Sequence, residues 1–105
     1  MKRGEVWLVA LDPTLGSEIR KTRPALIVSP DEMNAHLRTV IVAPLTSGSS
    51  PTPFRIVVNF DGVSGLVLVD QIRTVPRQRL RRRMGTVEPQ ILSDVLTVLG
   101  ATFSP

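Results

Sequence analysis

Between two apolar runs, residues 6–11 and 25–28, lies the stretch Gly16-Ser17-Glu18-Ile19-Arg20-Lys21-Thr22-Arg23-Pro24. It brings two hydroxyls, a carboxylate and three cations together in one short loop. The flanking runs predict buried strands, and a charged loop held between rigid strands is how a small fold presents a reactive or binding surface. Arg23 is the most constrained of the cations, because Pro24 biases it toward extended backbone at the mouth of the second strand. Other chemistries are excluded by residue type. The chain has no cysteine, which removes disulfides, thiolate nucleophiles and thiolate metal clusters. Its single histidine, His36, rules out a two-histidine catalytic pair or a zinc site within one protomer, and reads as a surface residue without a role.

The elements that must position this loop follow from the rest of the pattern. A length of 105 residues with 42% hydrophobic content fits one domain, residues 1–105, with one compact core. That small size favours a dimer burying further apolar surface. Thirteen Lys/Arg against nine Asp/Glu give a net charge of +4 and favour a polyanionic partner. No apolar run approaches the ~18 residues needed to span a bilayer, and the start lacks the apolar core of a secretory signal. The expected location is the cytoplasm. Strands are predicted over residues 5–11 (with Trp7 in the core), 24–29, 39–45, 54–60, 66–69 (a central strand) and 84–87. A short helix is expected over 31–37, capped by Ser29 or Asp31, and another over 76–80. Residues 46–53 read as a loop, and Asp61-Gly62 with Ser64-Gly65 as a turn. Glu88-Pro89 opens a terminal helix with Ile91, Leu92, Val95, Leu96 and Leu99 on one face and Gly100 as its C-cap. Together these predict a mainly β fold, a small, strongly curved barrel covered by a C-terminal amphipathic helix. The five arginines of residues 77–83 read as a solvated helix face, and as phosphate contacts they would strengthen binding without choosing sequence.

Several short motifs occur in order along the chain: Arg3-Gly4-Glu5-Val6-Trp7, Leu11-Asp12-Pro13, Gly16-Ser17-Glu18, Thr22-Arg23-Pro24, Ala43-Pro44-Leu45-Thr46-Ser47 and Asp70-Gln71-Ile72-Arg73-Thr74. With them the sequence resembles the MazF/PemK (Kid-like) toxin family of bacterial toxin–antitoxin systems, from Arg3 to about Leu99. The resemblance implies an SH3-like barrel with appended helices, a homodimer, and sequence-specific, metal-independent cleavage of single-stranded RNA without a cofactor. It also implies a cognate antitoxin whose acidic and apolar C-terminal tail occupies the RNA groove.

Such cleavage uses the substrate's own 2′-hydroxyl as nucleophile, leaving a 2′,3′-cyclic phosphate and a 5′-hydroxyl. The protein then supplies positioning, proton transfer and positive charge near the phosphorane oxygens. The resemblance places Arg23 and Thr46 as the catalytic pair. Arg23 offers a fork of donors to the phosphorane, and Thr46 a hydrogen bond to the scissile phosphate. Arginine is normally too basic to deprotonate, which leaves Glu18 and Asp70 as the carboxylates for proton transfer. Kid-like members carry a histidine where this chain has Ser17 and an arginine where it has Leu68, so the chain follows the Arg-plus-Thr pattern. Gln71 and Asp70 suit the Watson–Crick edge of an unstacked base; Ser47 and Phe54 flank the Thr46 loop as further RNA contacts, and Phe54 suits stacking. Ser17, Arg20, Lys21, Arg73 and Arg79 complete the expected RNA contacts. Two other readings are a CcdB-like gyrase poison, against which the chain end Thr102-Phe103-Ser104-Pro105 lacks the expected tryptophan, and an RNA-binding barrel without activity.

Overall fold

Strands β1 (Glu5–Ala10), β2 (Thr22–Ile27) and β3 (Thr39–Thr46) occupy three of the expected apolar runs. The computed structural model describes residues 1–11, 22–47, 50–60 and 63–105. Helix α1 (Asp31–His36) links β2 to β3; β4 (Arg55–Phe60) and β5 (Val63–Leu68) follow as a hairpin. A 3₁₀ turn over Val69–Gln71 leads to β6 (Arg73–Pro76), and a second over Arg77–Arg79 leads to β7 (Leu80–Thr86). Helix α2 (Pro89–Thr102) completes the fold. The sheet is antiparallel in the order β4-β5-β3-β2-β1-β7, with β6 also paired to β3.

The continuous apolar runs arise because both faces of the inner strands are buried. On β2, Leu26 joins a core with Val6, Ala43, Val67 and Val95, which α2 covers through Ile91, Leu92, Val98 and Leu99. Its neighbours Ala25 and Ile27 point to a second core with Val9, Val40, Val42 and Val75, against which Trp7 packs. Successive side chains on a strand alternate faces, so one run serves both cores. The sheet curls until its outer strands meet. A Cβ on Gly85 of β7 would lie 3.0 Å from the Phe60 ring of β4 and would press the ring aside, and the positive φ of +156° at this position also favours glycine. The result is the mainly β, curved barrel with a terminal helix expected above.

Several local expectations are corrected. β2 begins at Thr22, so Arg23 sits in a strand, paired with Val9, rather than in a loop. Ser64 and Gly65 lie inside β5 rather than in a turn, because they pair with Asn59 and Val58 of β4. Residues 76–80 form only the short 3₁₀ turn, since Leu80 already joins β7 beside Val9. Gly100 lies within α2, whose C-cap is Phe103. Neither Ser29 nor Asp31 caps α1 through its side chain. Buried Ser29 instead donates to Asn34 and accepts from the Ile41 amide, while Asp31 accepts from the Arg3 amide.

The arginine run is not a solvated helix face. Arg77 donates to the carbonyls of Asn34 and Leu37, satisfying orphan acceptors at the end of α1. Arg79 donates to the Ala10 carbonyl, and Arg81–83 lie on the edge strand β7. Arg83 pairs with Glu5 at 3.1 Å. Burial alone would raise the Glu5 pKa, but hydrogen bonds from the Trp7 indole, the Lys2 amide and Arg83 outweigh it and hold it below the usual carboxylate value. A group with a lowered folded-state pKa stabilises the fold above its unfolded value and stops doing so as pH falls through the folded one. Thermal melts between pH 7 and pH 3 should therefore show a loss of stability below about pH 4.5. Glu5→Gln should flatten that part of the curve.

Candidate active site

The β2 strand opens, and the β3 strand closes, on the same cleft. Its volume is about 480 Å³, within the range of small-ligand sites. Arg23 at the start of β2 lines the cleft, as do Thr46 and Ser47 at the end of the neighbouring strand β3. Ser64 and Gly65 of β5 also line it, and the apolar floor comes from Leu45, Val58, Phe60 and Met84. The cleft thus combines a polar rim with an apolar base.

Arg23 is exposed, and among the described residues nothing pairs with its guanidinium. A structural arginine would be engaged, as Arg77 and Arg83 are; this one is available to an anion. Thr46 is half-exposed and fixed through its backbone by pairing with Leu66. The fit there is tight, since a Cβ on Gly65 would lie 2.5 Å from the Thr46 carbonyl oxygen. A forked cation and a hydroxyl facing one cavity can grip a phosphodiester and stabilise the extra charge of a phosphorane. Among the described residues no three His, Asp or Glu side chains gather where they could hold a metal ion, and no helix is long and apolar enough to cross a membrane.

The other expected residues fall in three groups. Ser17, Glu18, Arg20 and Lys21 lie outside the described residues. Asp70 and Gln71 are exposed in the 3₁₀ turn after β5, and Phe54, 53% exposed, stands just before β4. None of these three lines the cleft. Both Asp70 oxygens accept from Arg55, at 3.1 and 3.0 Å, and the guanidinium holds the carboxyl below its usual range. Arg73 is exposed at the start of β6, opposite Val42, while Arg79 is half-buried against the Ala10 carbonyl.

Sequence reasoning missed Arg55, Gly65 and Ser64. Fifteen positions separate Arg55 from Asp70, and no local pattern joins them. Gly65 had a signal, an isolated glycine beside an apolar run, which can mark close backbone approach as well as a turn.

Comparisons with known proteins identify the family and the fold. Residues 2–103 match the family model of the PemK-like, MazF-like toxins of type II toxin–antitoxin systems. The chain is 40% identical to endoribonuclease PemK of Escherichia coli, covering 94% of this chain and 82% of that one. It is 34% identical to endoribonuclease toxin MazF of E. coli K12, covering 85% and 81% respectively. Among solved structures, a MazE-MazF crystal structure from Deinococcus radiodurans superposes with a TM-score of 0.85 at 29% identity, covering 97% of this chain and 94% of that one. A mycobacterial endoribonuclease in complex with its cognate antitoxin superposes at 0.80 with 26% identity, covering 96% and 92%. With its strand order, its terminal helix and the match over nearly its whole length, this chain belongs to the PemK-like, MazF-like toxins of type II toxin–antitoxin systems.

Proposed function

We propose that the chain is an endoribonuclease toxin that cuts single-stranded RNA at specific sequences, without a metal ion, by attack of the substrate's 2′-hydroxyl. The observation that carries this reading is the shared cleft of Arg23 and Thr46. The phosphate sits between them, with the Arg23 fork on the non-bridging oxygens and the Thr46 hydroxyl donating to one of them. As the ribose oxygen attacks, the gathering negative charge strengthens both contacts, so they favour the transition state over the ground state. Proton transfer falls to a carboxylate, since Arg23 does not deprotonate; of the two expected, Asp70 is held by Arg55 and does not line the cleft, which leaves Glu18. Ser47 extends the polar rim, and Ser17, Arg20, Lys21, Arg73 and Arg79 add charge or hydrogen bonds to the RNA. Phe54 and Gln71 offer an exposed aromatic face and an exposed amide edge to unstacked bases.

The toxin works in the cytoplasm as a homodimer and is neutralised by an antitoxin. The Arg23 guanidinium beside the apolar floor suits an antitoxin tail that is both acidic and apolar. The test is to incubate the purified protein with mixed-sequence single-stranded RNA in EDTA and map the ends. Discrete fragments with 5′-hydroxyl termini, lost in Arg23→Ala and Thr46→Ala, are expected. RNA left intact overturns the reading.

A further inference from the structure

Away from the cleft, the chain stitches together two turns at the open end of the β4–β5 hairpin. The first runs over residues 52–55, where the Arg55 amide donates to the Thr52 carbonyl at 3.1 Å and the Phe54 amide to the Thr52 hydroxyl at 3.2 Å. The second is the 3₁₀ turn over Val69–Gln71. One backbone bond joins them, from the Val69 amide to the Phe54 carbonyl at 3.2 Å. The other tie is the two-pronged ion pair of Arg55 and Asp70. Arg55 begins β4 directly opposite Leu68, the last residue of β5, and reaches past Val69 to the turn beyond.

Adjacent to this pair stand Phe54 and Gln71, both exposed. A ring able to stack and an amide able to read a base edge discriminate only when their spacing is held. Single hydrogen bonds let a turn rotate, whereas a forked guanidinium on both oxygens of a carboxylate fixes orientation as well as distance. With both its oxygens engaged, Asp70 has a ready partner other than a substrate proton.

We propose that Arg55 is a positioning residue that, by clamping Asp70, locks the Phe54 and Gln71 turns into one base-reading edge, so that it sets where the RNA is cut. This rests on the endoribonuclease reading above. It assigns Asp70 to recognition and leaves the chemical step to the cleft.

The test is steady-state cleavage of an oligonucleotide containing the mapped site, with end mapping on mixed-sequence RNA, for wild type, Arg55→Met, Arg55→Lys, Asp70→Asn and the double variant Arg55→Met/Asp70→Asn. Arg55→Met should raise KM about fivefold, an effect of the size exposed ion pairs give, with kcat within about twofold and cleavage spread over additional sequences. Asp70→Asn should do the same. The double variant should be no worse than either single one, because the two side chains act as one unit. Arg55→Lys, which keeps charge but loses the fork, should fall between wild type and Arg55→Met. Wild-type KM and site choice in Arg55→Met would overturn the clamp. So would a hundredfold fall of kcat in Asp70→Asn that Arg55→Met does not share. If wild type cuts no RNA, the endoribonuclease reading falls and takes the clamp with it; if wild type cuts and Arg55→Met keeps its sites, only the clamp falls.

Discussion

Arg23→Ala should slow RNA cleavage by about 10²–10³-fold, the effect of removing one preorganised donor from a developing oxyanion. Stability should hardly change. The side chain is exposed and, among the described residues, unpaired, and such surface positions shift stability by about 0.5 kcal/mol or less. The backbone pairing of Arg23 with Val9 does not depend on the side chain. Arg23→Lys should recover less than a tenth of the lost rate, because an ammonium supplies charge without two parallel donors. Rates on an end-labelled oligonucleotide, set beside melting curves, separate the two effects. A variant that both unfolds and loses activity would show that Arg23 holds the barrel together instead.

Gly65→Ala should damage both fold and activity, although glycine to alanine is chemically the smallest of changes. The new methyl would lie 2.5 Å from the Thr46 carbonyl oxygen, and that oxygen belongs to backbone, which cannot swing aside. Strand β5 must therefore move away from β3, straining the pairings of Leu66 with Thr46 and of Val67 with Leu45. Overpacking of this kind costs about 1–3 kcal/mol. The displaced residue is Thr46 itself, and a misplacement near 1 Å at a reacting group costs about 10²-fold in rate. Gly100→Ala is the matched control. Nothing lies within 4 Å of its new methyl, and its place inside α2 makes a gain of about 0.5–1 kcal/mol the expected result. Denaturant unfolding of the two variants should move in opposite directions.

The parts of this fold that were legible in sequence are those where one physical demand dominated. Strands β1 to β3 are buried on both faces and read as unbroken apolar runs. Pro89 after Glu88 marked the start of α2 correctly. What escaped were the places where two demands compete. Three consecutive arginines, all exposed, disguised β7, an edge strand whose backbone pairs with β1. Gly65 looked like a turn because its true reason, the closeness of Thr46, lies nineteen positions away. Arg77 looked solvated because its partners are carbonyls of another helix. Arg23 stood out in its charged loop, but its pairing with Thr46 was legible only through the family resemblance, and their common cleft is a property of the curled sheet.

The account stands on the ribose of the substrate acting as the nucleophile in that cleft. Its most direct test replaces the 2′-hydroxyl at the mapped cleavage position by hydrogen or by a methyl ether, in EDTA, and measures cutting and binding of the same oligonucleotide. The expected result is that cleavage stops at that position while the 2′-deoxy oligonucleotide binds within a few-fold of the unmodified RNA. Cleavage of either modified strand at its usual site would contradict the account, because the attacking oxygen would then have to come from water or from the protein.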